Sequence, residues 1–157
     1  MYRRIMILVD DSPVTQLALR EGTALAAAHG AEAVYLGLTA GYAASAGDFA
    51  TFGAVAPEDF HQAAVARTEE LLDEAMVHAE GAGVLAHRFS SQPNADARSV
   101  VESARRRRCD LIVVGADNHN AVVRLLNGSL LPGLITASTV PLLICKQRAT
   151  AQTAAAQ

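Results

Sequence analysis

A carboxylate closing one apolar run and a glycine-spaced loop following another are the places where this sequence could do chemistry. Ile5 to Val9 is apolar and stops at Asp10. Leu111 to Val114 is apolar, rich in β-branched residues and too short for a helix, which reads as a strand buried on both faces. Gly115 follows at once, then a polar loop, then Asn127-Gly128-Ser129 at the mouth of a further apolar segment. Glycine lets a ligand approach the backbone, and the unpaired N–H groups of a first helical turn attract anions. Gly128, Ser129 and Leu130 would supply those groups, so the chemistry is that of an anion seat. Asp10 could accept from a ribose hydroxyl or hold a metal ion on phosphates, and it could equally serve only the helix that follows it. Ser129 could likewise be only a helix cap.

Gly115, two residues, Asn118, nine residues and then Gly128-Ser129 resemble the nucleotide loop of the universal stress protein family. The family pattern is Gly, two residues, Gly, nine residues, Gly, then Ser or Thr, and the resemblance extends from Ile5–Asp10 to Val140–Ile144. Asn118 stands where the family has its middle glycine; Asn is the best non-glycine residue at positive φ. Asp117 stands where the family often has a basic residue or His, and an acid there repels phosphate. A divalent ion bridging Asp10 or Asp117 to the phosphates, or cations from His119 and Arg124, would offset it.

The resemblance implies an α/β domain with a five-stranded parallel sheet in the order 3-2-1-4-5 and helices on both faces. It implies that main-chain groups at Leu38 and Thr39 read an adenine edge, and that Asp10 contacts the ligand. Gly115, Asn118, Gly128, Ser129 and Leu130 would seat the phosphates. The implied ligand is ATP, or another adenine nucleotide such as AMP or ADP, with Mg²⁺ reaching Asp10 through the phosphates. The resemblance also implies a homodimer paired through the last strand, residues 140–145.

The elements that must position these residues follow from the pattern of the chain. After Ile5–Val9, Ser12 reads as an N-cap and Pro13 as the first residue of a helix. Its apolar stripe is Val14, Leu17, Ala18, Glu21, Leu25 and Ala28, and Gly30 closes it as a C′ residue. Ala33 to Leu38 reads as the second strand, making a βαβ unit. Thr39 to Ala56 has no pattern and reads as a long loop.

Pro57-Glu58-Asp59 opens the next helix, with Val65, Leu71, Leu72, Ala75, Met76 and Ala79 as its buried side and Gly81 and Gly83 at its end. Val84 to Phe89 reads as a strand and Asp96 to Arg108 as a helix. In that helix the four cations Arg105–Arg108 could form a patch for phosphate or an acidic partner, but they are expected to lie solvated in the last turn, where the helix dipole favours them. A helix over Leu130 to Ser138 and a strand over Val140 to Cys145 complete the domain, residues 1–146, and residues 147–157 read as a frayed tail. Strands alternating with helices make a doubly wound sheet, whose ligands sit beyond the C-terminal strand ends where the strand order reverses. Asp10 and Gly115 fall on that point.

Composition narrows the function classes. The 157 residues suit one domain with a full core, 51% of them hydrophobic but only 4% aromatic. A formal net charge of −3 gives no footprint for nucleic acid or an anionic membrane. No apolar run approaches the roughly 20 residues that span a bilayer, and the N-terminal run is too short for a signal peptide, so a cytoplasmic protein is expected. Cys109 and Cys145 have no metal-like spacing and read as buried, inert thiols. Neither GxGxxG nor GxxxxGK[ST] occurs in a fitting place, and no nucleophile–base motif stands out. The expected function is therefore regulatory binding of an adenine nucleotide in a stress response, with at most slow ATP hydrolysis. The alternative is a nucleotide-independent homodimeric interaction module, which Asp117 and Asn118 favour. An enzyme using the same crevice is the third reading.

Overall fold

In the computed structural model, which describes residues 1–40, 56–93, 95–116 and 130–146, the short apolar runs assemble into one parallel sheet. The strands are β1 (Arg4–Val9), β2 (Glu32–Gly37), β3 (Ala86–Ser90), β4 (Leu111–Ala116) and β5 (Leu142–Lys146), in the order β3-β2-β1-β4-β5. The helices are α1 (Thr15–His29), α2 (Pro57–Gly81), α3 (Ala97–Arg106) and α4 (Leu130–Ala137). All four strand pairings are parallel, with Val9 opposite Gly37, Ile7 opposite Val113, and Gly115 opposite Cys145. This is the doubly wound fold that the sequence implies.

Alternation along the central strands sorts their side chains into two cores. Ile5, Ile7, Val9, Tyr35 and Val113 pack against α1 and α2, whereas Met6, Leu8, Leu36, Ile112 and Val114 pack against α3 and α4. A central strand covered on both faces must be apolar throughout, and Ile5 to Val9 are all buried. The outer strands are less covered: Phe89 in β3 and Leu143 in β5 remain 38% and 37% exposed.

The helix ends follow local chemistry. Gly30 takes φ 61° and its N–H bonds back to Ala26 and Ala27, as a left-handed C-cap should. Pro57 stands at the start of α2 with Glu58 and Asp59 in its first turn. Asp96 caps α3, accepting from the Ser99 N–H at 2.8 Å and from its hydroxyl at 2.6 Å.

Several expectations are corrected. The N-cap of α1 is Val14, not Ser12, whose side chain turns back to Asp10 instead. The buried face of α1 is Thr15, Ala18, Leu19, Gly22, Thr23 and Ala26, while Glu21 and Ala28 are exposed. The reason is close packing: a Cβ on Gly22 would lie 2.7 Å from Ile7, so the helix sets its small residues against the sheet. In α2, Val65 is 38% exposed because the buried side begins only at Thr68. Strand β3 begins at Ala86 rather than Val84, and α3 stops at Arg106.

Arg107 is not simply solvated. Its guanidinium lies 3.8 Å above the Phe89 ring and donates to the Ser103 hydroxyl at 2.8 Å, so it lies along the surface between α3 and β3. Both cysteines are buried, as expected. Most of the loop 39–56 and all of the tail 147–157 lie outside the described residues.

Candidate functional site

The C-terminal ends of β2, β1 and β4 lie side by side, and three expected site residues sit on them. Asp10 follows β1, Leu38 follows β2, and Gly115 is the penultimate residue of β4. The Leu38 N–H continues the ladder to the Val9 carbonyl at 2.8 Å. Leu130 opens α4 and packs, with Leu38, against the core beneath α3 and α4. The structure therefore brings together Asp10, Leu38 and Gly115, with Leu130 on the same core. Asn118, Gly128 and Ser129, like Asp117, His119 and Arg124, lie outside the described residues.

Asp10 is built into the turn between β1 and α1. Its Oδ1 accepts from the Ser12 hydroxyl at 2.5 Å, the Ser12 N–H at 3.2 Å and the Thr15 hydroxyl at 2.7 Å. The Thr15 hydroxyl in turn accepts from the Asp10 N–H at 2.9 Å. The carboxylate thus ties strand to helix through a reciprocal pair with buried Thr15, while the Asp10 residue as a whole is half-buried at the strand end. A carboxylate fixed in this way can still present a charge to a hydroxyl or a cation, because its orientation is set by the turn rather than by solvent.

Gly115 has a structural duty that the sequence reading assigned to a ligand. A Cβ there would lie 2.8 Å from the Val14 carbonyl oxygen and 2.9 Å from a Val14 methyl. The missing side chain makes room for the β1–α1 turn. Its backbone is not in the left-handed region, which among the described glycines is reserved for Gly30 and Gly83.

Thr15, Ser91 and Arg67 belong to this end of the sheet and were not singled out from the sequence. The Ser91 hydroxyl lies 3.4 Å from the Thr39 N–H, and the Ser91 N–H donates to the Gly37 carbonyl at 2.8 Å, closing β3 onto β2. Arg67 of α2 reaches Asp11 at 3.0 Å and Glu70 at 3.2 Å, and these two carboxylates hold its guanidinium above its ordinary pKa. A threonine five residues beyond the strand-ending aspartate was the only signal available for Thr15; Arg67 had none.

Among the described residues no group of His, Cys, Asp and Glu is arranged to hold a metal ion, and no helix is long and apolar enough to cross a membrane. Cys109 is not poised for chemistry: burial pushes its thiol up to about 11, and burial also raises Cys145.

A doubly wound parallel sheet whose order reverses between β1 and β4, with a fixed carboxylate and a glycine at that reversal, defines an α/β protein of the switch-point class. Residues 1–146 match the sequence model of the Universal stress protein family, and the chain belongs to that family. Solved structures share the fold. A protein of the universal stress protein family from Burkholderia pseudomallei is 21% identical, with a TM-score of 0.70 over 91% of this chain and 95% of its own. A universal stress protein in complex with cAMP is 23% identical, with a TM-score of 0.62 over 91% of this chain and 95% of its own. The universal stress protein of Archaeoglobus fulgidus in complex with dAMP is 16% identical, with a TM-score of 0.61 over 91% of this chain and 97% of its own.

Proposed function

We propose that this protein binds an adenine nucleotide as a regulatory ligand across the C-terminal ends of β1, β2 and β4. The observation that carries the reading is the meeting of Asp10, Leu38 and Gly115 on three adjacent strand ends at the reversal of strand order. Its family membership supports the ligand class, as do fold neighbours solved with cAMP and dAMP. In this reading Asp10 receives a ribose hydroxyl or a Mg²⁺ held on the phosphates, and the main chain at Leu38 meets the base. Gly115, Asn118, Gly128, Ser129 and Leu130 seat the phosphates. ATP is the proposed nucleotide, and its binding changes a surface that a partner reads.

A second reading is a homodimeric interaction module that needs no nucleotide. It is favoured by Gly115, whose lack of a side chain is explained by Val14 without any ligand, and by the open edge of β5 with Leu143 37% exposed.

Calorimetric titration with ATP and with AMP, with and without Mg²⁺, separates the two. Micromolar binding that a Gly128→Val variant loses is the expected result. No heat at millimolar nucleotide from a folded protein, dimeric by light scattering, would leave the second reading.

A further inference from the structure

The end of the sheet opposite the nucleotide crevice gathers positive charge. Arg3 and Arg4 open β1, and Arg105 to Arg108 close α3 and lead toward β4. The two stretches are joined by the Arg4 guanidinium, which donates to the Arg107 carbonyl at 2.9 Å. They are joined again by Asp110, which accepts from the N–H groups of Arg3 and Arg4 at 2.9 and 3.1 Å. Six of the thirteen Lys and Arg residues of the chain lie in these two stretches, in contact with three of its sixteen acids, Glu32, Glu102 and Asp110, while Glu80 in the last turn of α2 is a fourth acid at this end of the sheet. Outside the two stretches and the three acids they contact, seven cations stand against thirteen acids. A protein of net charge −3 thus has one cationic end.

The three acids in contact are already engaged. Glu32 takes Arg4, Asp110 takes two backbone N–H groups, and Glu102 is shared by Arg105 at 3.1 Å and Arg106 at 3.0 Å. Among the described residues Arg3 and Arg108 form no ion pair, and both are exposed, as are Arg105 and Arg106. Arg108 follows α3 and holds its charge at the turn toward β4. It takes φ 55°, the one non-glycine residue at positive φ among those described, at a position just past a helix where glycine is usual. Its N–H reaches the Arg105 carbonyl at 3.0 Å and the Cys109 N–H reaches the Ala104 carbonyl at 2.9 Å, so the conformation is a helix C-cap that here carries a cation in place of glycine.

We propose that this end is a docking surface for a short acidic peptide segment of a partner protein, its carboxylates received by Arg3, Arg105, Arg106 and Arg108. Guanidinium groups pair bidentately with carboxylates, which suits four exposed arginines around one helix end. A short segment fits the observations better than an extended polyanion. A nucleic acid duplex or an anionic bilayer would reach past the patch to the acidic remainder of the molecule and be repelled there.

The test is fluorescence anisotropy of a fluorescein-labelled octaglutamate peptide titrated with the full chain. Saturable binding is expected, weakening about tenfold between low and moderate salt as exposed charges are screened. Arg108→Gly suits the backbone better than arginine, so it stays folded, and it should weaken binding roughly two- to fivefold. Arg105→Glu with Arg106→Glu should abolish binding, while Arg20→Glu on α1 should leave it unchanged. The proposal is overturned if the folded protein does not bind the peptide at low salt, if Arg108→Gly and the double variant bind as wild type, or if duplex DNA or anionic vesicles bind as tightly as the peptide.

Discussion

Gly115 and Val14 approach so closely that a Cβ on the glycine would lie 2.8 Å from the valine's carbonyl oxygen. The obstacle is backbone in a turn that also carries Asp10, Ser12 and Thr15, so it cannot yield as a flexible side chain would. Gly115→Ala must push the β1–α1 turn away from β4. Overpacking of this kind costs about 1–3 kcal/mol, and in a chain of this size each kcal/mol lowers Tm by roughly 2–4 °C. Thermal unfolding should show that loss in the absence of any nucleotide. A variant as stable as wild type would mean that the turn gives way at little cost and that the contact with Val14 does not require the glycine.

Thr15 and Asp10 exchange two hydrogen bonds, the hydroxyl donating to Oδ1 at 2.7 Å and accepting from the Asp10 N–H at 2.9 Å. Thr15→Val keeps the shape and removes both, leaving a backbone donor without its partner. Such a loss costs about 1–3 kcal/mol. Thr15→Ser retains the hydroxyl and should lose less than half as much in urea unfolding. If the proposed nucleotide site is correct, Thr15→Val also weakens ATP binding, because Asp10 loses part of what orients it. Equal stability of the Val and Ser variants would rule out the hydroxyl as the anchor.

The strands were legible because a strand covered on both faces is written as an unbroken apolar run, and Ile5–Val9 and Leu111–Val114 are such runs. Gly30, Pro57 and Asp96 marked helix ends by conformational preferences that act locally. The face of α1 was not legible. Ala, Leu, Gly and Thr occur all round it, and the choice is made by the fit of Gly22 against Ile7, a contact between distant parts of the chain. Asp10 and Gly115 were found because strand ends are visible in sequence, whereas the reason for Gly115 lies in Val14, which no spacing rule connects to it. The cations after Ala104 resembled a solvated helix end. Only the structure shows Arg107 on Phe89, Arg108 in a left-handed conformation and Arg4 tied to the same end.

Arg108 provides a prediction about stability apart from any partner. A left-handed conformation costs a side-chain-bearing residue about 1 kcal/mol relative to glycine. Arg108→Gly should therefore raise stability by about that amount, seen as a Tm increase of roughly 2–4 °C. Arg108→Ala removes the same charge without the conformational relief and should not raise it. Identical gains from both variants would attribute the effect to charge repulsion among Arg105–Arg108 instead of to the backbone.

Cys109 sets an alkaline limit. Burial raises its thiol from the ordinary 9.0 to about 11, so the folded protein holds the proton that the unfolded chain gives up. A raised folded-state pKa leaves stability intact below the unfolded value and removes it as pH climbs toward the folded one. The loss therefore falls between about pH 9 and pH 11 and amounts to about 2–3 kcal/mol. Urea unfolding of wild type and Cys109→Ala across that window isolates the contribution, since other groups titrate alike in both. Wild type should fall more steeply with pH than the variant, and parallel slopes would mean that the thiol ionises as readily in the fold as out of it. Alkylation by iodoacetamide at pH 8 gives an independent reading: at Cys109 it should proceed only as fast as the chain opens, because the buried thiol is protonated and shielded.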